Sequence, residues 1–292
     1  MSEKNTEYVA CQGVAGAFSH LAAKELFPDK KVLFYATFEA ALEAVFQGDA
    51  LYAVLPVENS SAGRVADMHR LLGSLPLYVV GEHFVRVRHC LLGTQEATPE
   101  TIRCVRSHPQ ALSQCRGFLK KLGVKTEVSG NTAMAAKEVA ALNRKDTAAI
   151  ASAEAAEVYG LKVLKADVED FDSNVTRFWI LSRSPASPVR SDNAVTSFVF
   201  WVENKPAVLY KCLGGFATNG IDLLRLESYV DPQGFLASAG FLVDVAADSE
   251  TEAFKRALEE LRFFAEKVKI LGTYPAAPYR TEMKKRYKEA GK

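Results

Sequence analysis

The chain has 292 residues, of which 48% are hydrophobic and 24% charged. This is ordinary globular composition at a length that suggests about two domains. A net charge of +1 supplies no global field for nucleic acid or a membrane surface. Met1 to Tyr8 is polar, with no apolar signal core, and no run of eighteen apolar residues follows. A cytoplasmic protein is expected.

The five cysteines, Cys11, Cys90, Cys104, Cys115 and Cys212, are scattered, which reads as free thiols. The five histidines lack ligand spacing, so no metal site is expected.

In chain order, a strand at Tyr8 to Cys11 runs into a loop, Gln12 to Ser19, that contains Gly13 and Gly16. Such glycines let backbone approach an anion at a helix start, or simply make a tight turn. A helix follows to Leu26. Phe38, Ala41, Leu42, Val45 and Phe46 recur at helical spacing, and Gly48 is placed to cap that helix. A strand from Tyr52 to Val57 delivers Glu58, Asn59 and Ser60 to a second helical stripe, Val65 to Leu72. Ser60 or Ser61 at that point is either an N-cap or part of a ligand site. Leu77 to Val80 and Phe84 to Leu92 read as strands, with Arg86 and Arg88 on one face.

Ser107 and Gln110 fit a capping box, with Pro109 in the first turn of a helix ending at Gly123. His108 would then stand at the helix start, facing a cleft or simply serving structure. A positive helix end would keep it neutral. Short strands at Thr126 to Val128, Ala148 to Ala151 and Leu161 to Lys165 alternate with helices at Ala133 to Leu142 and Ala153 to Tyr159. That alternation predicts α/β architecture with mainly parallel sheets and ligand sites at the strand ends.

Ser173 to Leu181 is the central stretch. Phe178 to Leu181 is a buried strand, and a hydroxyl, Thr176, stands beside a permanent cation, Arg177, at its mouth. Arginine can grip a carboxylate with two hydrogen bonds, or the pair can be a polar strand entry. Ser182 to Asn193, with two prolines, reads as a linker. Beyond it the order is strand at Val195, helix at Ala207, strands at Ile221 and Phe235 joined by a turn at Asp231 to Gly234, helix to Ala265 opened by a Ser249/Glu252 capping box, and strand at Val268 to Tyr274. This is a ferredoxin-like βαββαβ unit. The tail from Ala276 is basic and reads as loose.

Four motifs in this order carry a resemblance: Leu55-Pro56-Val57-Glu58-Asn59-Ser60 with Gly63 and Val65; Ser107-His108-Pro109-Gln110-Ala111-Leu112 with Gln114-Cys115; Thr132-Ala133 with Ala135-Ala136; and Asn174 with Thr176-Arg177-Phe178. Over residues 7 to 275 the chain resembles a prephenate dehydratase with a C-terminal ACT domain. The resemblance implies a catalytic domain, residues 1–184, of two lobes similar to periplasmic binding proteins. It also implies a linker at 185–194, an ACT domain at 195–275 and the basic tail at 276–292. The implied reaction converts prephenate to phenylpyruvate, carbon dioxide and water, without metal or cofactor. By resemblance Thr176 donates a proton to the leaving oxygen, and Arg177 binds a carboxylate or polarises Thr176. Glu58, Asn59, Ser60, Ser107, His108, Gly16 and Phe178 would form the substrate site.

An L-phenylalanine effector would sit near Ala207, Val208, Leu209, Asn219, Leu226, Glu227 and Ser228. There Ala207-Val208-Leu209 stands where many relatives have Gly-Ala-Leu, and Tyr229 where they have arginine. The resemblance further implies a homodimer or homotetramer. The competing readings are an arogenate dehydratase and a non-catalytic sensor of small anions.

Overall fold

Three sheets carry the fold, in a computed structural model that describes residues 7–65, 68, 71, 74, 77–186, 193–230 and 237–290. The first holds β1 (Tyr8–Gln12), β2 (Lys31–Tyr35), β3 (Tyr52–Asn59), the short β4 (Gly63–Arg64), β5 (Tyr78–Arg86) and β11 (Val175–Ser182). Its order is β2-β1-β3-β11-β5, with β4 paired to β3. Ala53, Val54, Leu55 and Val57 of β3 are all fully buried, because helices and the C-terminal sheet cover both faces. Helix α1 (Phe18–Leu26) covers one face. Helix α2 (Phe38–Gln47) covers the other, opened by the Thr37 hydroxyl accepting the Ala40 N–H and closed by Gly48 at φ +88°.

The second sheet has the order β10-β6-β9-β7-β8, with β6 (Cys90–Gly93), β7 (Cys104–Ser107), β8 (Lys125–Val128), β9 (Thr147–Ala151) and β10 (Lys162–Lys165). Both sheets are mixed rather than mainly parallel. β1, β2 and β3 run parallel, as do β7, β8 and β9. β11 runs antiparallel to β3 and β5, and β6 and β10 are antiparallel too. The reversal follows from the path of the chain, which leaves the first lobe after β5 and returns to it through β11. The two crossings are hydrogen-bonded near the sheets, Val87 N–H to the Asn174 carbonyl at 2.8 Å and Val168 N–H to the His89 carbonyl at 2.9 Å. The helix expected after Ser107 breaks at Cys115 into α3 (Pro109–Gln114) and α4 (Arg116–Leu122). The second lobe is completed by α5 (Thr132–Leu142) and α6 (Ala153–Tyr159).

The third sheet is antiparallel, in the order β13-β14-β12-β15, from β12 (Ala194–Glu203), β13 (Leu223–Val230), β14 (Ser238–Val245) and β15 (Lys267–Pro275). With α7 (Val208–Thr218) and α8 (Glu252–Phe264) it makes the ferredoxin-like unit around Phe198, Phe216, Phe254 and Leu261. Thr251, not Ser249, caps α8, because its hydroxyl accepts the Phe254 N–H at 3.3 Å.

The C-terminal sheet is welded to the first lobe. Val79, Trp179 and Leu181 share one apolar core with Val195, Val199, Leu242, Leu271 and Tyr274. At Gly272 a Cβ would stand 2.0 Å from the Val79 carbonyl oxygen, so only glycine permits this approach of β15 to β5. The tail is ordered rather than loose. Residues Pro278–Ala290 form α9, Tyr279 stacks on Phe84 at 4.8 Å and Arg280 binds Glu82. Most of the expected linker and the Asp231 to Gly234 turn lie outside the described residues.

Candidate active site

β11 alternates its side chains across the first sheet. Thr176 therefore looks into a cleft between the two lobes, while Arg177 looks away from it. The cleft has a volume of about 500 Å³ and is lined by Gln12, Phe18, Asn59, Asn174, Thr176 and Phe178 from the first lobe. His108, Gln114, Asn131 and Thr132 line it from the second, with His89 at the crossing between them. Phe178 is its floor, 1% exposed and packed among Val9, Cys11, Val54 and Val85.

A chain of hydrogen bonds organises the polar groups. Asn59 faces Thr176 across the β3–β11 ladder. The Asn59 Oδ1 accepts the N–H groups of Ser61 and Ala62, at 3.0 and 2.8 Å, which fixes the amide the right way round. Its Nδ2 then donates to Thr176 Oγ1 at 2.9 Å and to Asn174 Oδ1 at 2.7 Å. Asn174 Nδ2 donates to Gln114 Oε1 at 3.1 Å, which also accepts from His89 Nε2 at 2.9 Å. With its oxygen so committed, Gln114 is left with amide N–H groups to donate. Burial pushes the His89 pKa down, against the opposing pull of Gln114 and Glu169, and favours the neutral ring. Its Nδ1 is buried without a hydrogen-bond partner.

Several expected site residues stand elsewhere. Arg177 is 2% exposed and fully engaged. Its Nε donates to Glu82 at 2.8 Å, Nη1 to Asp244 at 2.5 Å and Nη2 to the Tyr274 hydroxyl at 3.0 Å. It is a buried link between β11 and the C-terminal sheet, and cannot also grip a carboxylate in the cleft. Glu58 shares that far face of the sheet, 3.7 Å from both Arg177 and Arg225. The Ser60 hydroxyl donates to the Ser173 carbonyl and accepts the Val175 N–H, tying β3 to the start of β11.

Ser107 is fully buried on β7 and donates to the Ile150 carbonyl at 2.6 Å. The cap of α3 is instead His108, whose Nδ1 accepts the Gln110 N–H while its ring lines the cleft. The backbone of the first loop is also committed: Gly13 N–H to the Tyr35 carbonyl, Gly16 N–H to His20 Nδ1, and the Gly16 carbonyl to the Ser152 hydroxyl. A Cβ on Gly16 would come within 2.8 Å of Ala155 Cα, so this glycine permits contact between the lobes. Of the nine expected site residues, the structure gathers Thr176, Asn59, His108 and Phe178 in the cleft.

Gln12, His89, Gln114, Asn174 and Arg64 received no role from the sequence. Gln114 and Asn174 lie inside the motifs quoted above. His89 belongs to no motif, and its place at the crossing is a matter of topology. Ala207, Val208 and Leu209 open α7, Asn219 ends it, and Leu226, Glu227 and Ser228 lie on the edge strand β13. Ala207 adopts φ +60°, the left-handed region that favours glycine. Among the described residues no group of three or more His, Cys, Asp or Glu side chains is placed to hold a metal ion.

Residues 9–186 match the family model described as prephenate dehydratase. The chain is 45% identical over 273 residues to a bifunctional N-acyl-homoserine lactone acylase/prephenate dehydratase of Komagataeibacter europaeus, covering 93% of this chain and 97% of that protein. It is 41% identical to arogenate dehydratase/prephenate dehydratase 2 of Arabidopsis thaliana, a chloroplastic protein, over 91% of this chain and 72% of that one. Among solved structures it is similar to a prephenate dehydratase in complex with L-Phe from Arthrobacter aurescens. That match has 27% identity and a TM-score of 0.85, covering 93% of this chain and 94% of the other.

Proposed function

The chain belongs to the prephenate dehydratase family, a family of lyases, and on that footing we propose how its cleft performs the reaction. The substrate is prephenate. The electron pair of the bond between the ring and its carboxylate enters the ring as carbon dioxide departs. The ring's C–O bond breaks, and the leaving oxygen takes the Thr176 hydroxyl proton and departs as water. Phenylpyruvate remains, and solvent returns one proton to Thr176.

The observation that carries this reading is the Asn59–Thr176 bond. Asn59 Nδ2 occupies a lone pair of Thr176 Oγ1, so the hydroxyl proton is free to point at the cleft. The same donor would stabilise the developing alkoxide, the help that an unassisted threonine lacks. Gln114, Asn131 and His108 would orient the substrate from the opposite lobe. Residues 195–275 act as an ACT regulatory domain that binds L-phenylalanine, in a homo-oligomer working in the cytoplasm.

The test is phenylpyruvate release from prephenate by the purified protein and by Thr176→Ala, with arogenate as a second substrate. Faster turnover of arogenate would move the substrate assignment. Binding of prephenate without turnover of either would turn the reading to a sensor.

A further inference from the structure

The first sheet goes out of step beside Thr176. Between Phe178 and Leu181 the pairing of β11 with β3 is regular: Phe178 faces Pro56, Trp179 faces Leu55, Ile180 faces Val54 and Leu181 faces Ala53. Carried onward, that register would set Arg177 opposite Val57 and Thr176 opposite Glu58. The observed partners are instead Glu58 for Arg177 and Asn59 for Thr176. β3 therefore carries Val57 as an extra residue, in a β-bulge. Facing residues share one side of a sheet, and a slip of one residue exchanges the sides. The bulge is what brings an amide, rather than a carboxylate, against the Thr176 hydroxyl. A carboxylate can only accept, so it would claim the proton that the hydroxyl has to give.

A bulge breaks the ladder and leaves backbone groups to be satisfied elsewhere. Pro56 has no N–H to offer, so the break falls where the ladder has least to lose. The Val57 carbonyl accepts the Val65 N–H at 3.3 Å and Arg225 Nη2 at 3.1 Å. Arg225 Nε also stands 3.7 Å from the Glu58 carboxylate. Arg225 comes from β13 of the C-terminal sheet, where it is buried and follows a second bulge. Leu223 pairs with Val245 and Arg225 with Asp244, so Leu224 is the extra residue there. Leu224 packs against the core shared with the first lobe, and the guanidinium beside it reaches both residues of the β3 bulge.

We propose that Arg225 is a positioning residue for the reaction: it pins the Val57 bulge of β3 and thereby holds Asn59, not Glu58, against Thr176. The role rests on the reading of Thr176 as the acid. Arg225 touches no substrate and acts through the backbone of β3. Without the pin, the extra residue moves along β3 towards the turn at Ser60 to Ala62, which brings Glu58 to the cleft face and takes Asn59 from it. Movement of β13 is then felt at the Thr176 hydroxyl.

Steady-state kinetics with prephenate and a crystal structure of the variant test this together. Arg225→Gln should lower kcat about 10- to 100-fold, the scale of a small misplacement beside the chemistry, and leave KM within about 3-fold. Arg225→Lys keeps the charge without the fork and should fall in between. Adding Glu58→Gln to Arg225→Gln should recover most of the lost kcat, because an amide then faces Thr176 in either register. A residue that only stabilised the fold would show neither the split between kcat and KM nor that recovery.

The crystal structure reads the register without reference to activity. In Arg225→Gln, Glu58 should stand opposite Thr176. Asn59 still opposite Thr176, with Val57 still the extra residue, would overturn the proposal, as would an unchanged kcat or a raised KM alone. If Arg225→Gln does not fold, Arg225→Lys carries the same comparisons. A displaced register together with full turnover by Thr176→Ala would keep the pin and remove the acid.

Discussion

Replacing Asp244 by Asn probes the electrostatics of the junction between the first lobe and the C-terminal sheet. The side chains have the same shape, so no cavity opens; the charge is lost, and one oxygen that accepts from Arg177 or Ser197 becomes an N–H donor. In the native protein two guanidiniums, Arg177 and Arg280, meet two carboxylates, Glu82 and Asp244, and both acids are fully buried. Asn removes the carboxylate that Nη1 of Arg177 donates to, beside a guanidinium that is 2% exposed. Removing one partner of a buried pair costs about 3–5 kcal/mol. For a chain of this size each kcal/mol moves the melting temperature by roughly 2–4 °C, so a drop of about 10 °C is expected.

The measurement is thermal unfolding followed by circular dichroism at pH 7. The pH dependence supplies a second reading. Burial alone would raise the Asp244 pKa, but Arg177, Arg225 and the Ser197 hydroxyl outweigh it and hold the group below its ordinary value. An unfolded aspartate titrates near about 3.9, so this contribution is complete above that pH and drains away as pH falls through the lower native value. The destabilisation by Asn should therefore shrink in acid. A drop below about 3 °C at pH 7, or one that does not shrink in acid, would refute the reasoning.

Three further substitutions probe separate contacts. Asn59→Asp presents a carboxylate where an N–H reached Thr176, so the hydroxyl would donate to Asp instead of substrate; steady-state kcat should fall about 100-fold or more. Ala207→Gly relieves a left-handed backbone at φ +60° and should stabilise the fold by about 0.5–1 kcal/mol in urea unfolding, since only glycine is at ease there. Gly272→Ala drives a methyl into the Val79 carbonyl, 2.0 Å away, and should cost about 1–3 kcal/mol or more by the same measurement.

Much of the fold is legible in the chain, because its elements are marked by periodicity and punctuation. Helix α2 is read correctly from its apolar stripe and Gly48, and the C-terminal βαββαβ order from strand and helix alternation. The strand at Lys31–Tyr35 is missed, since none of its residues is fully buried and alternation is faint. The capping boxes mislead at Ser107 and Ser249, where the hydroxyl that caps belongs to a neighbour or is replaced by a histidine. A local pattern names several candidates, and the backbone chooses among them.

At the site, motif residues are found but their directions are not. Thr176 and Arg177 are adjacent in sequence and opposed in space because a strand alternates. The same alternation separates Asn59 from Glu58. The counter-charges of Arg177 come from residues 95 and 67 positions away, which no local pattern reports. His89 and Gln114 meet only because the chain crosses between the lobes beside α3.

The central claim is that the Thr176 hydroxyl, held by Asn59 at the mouth of β11, delivers the proton that expels the leaving oxygen. The direct test is single-turnover release of phenylpyruvate from prephenate by the unaltered protein and by Thr176→Ala, at saturating enzyme so that binding cannot limit. The account predicts a fall of about 100-fold or more in the rate of the chemical step, with prephenate still bound and the fold intact. An unchanged single-turnover rate would contradict it, and would send the search for the acid to the other lobe of the cleft.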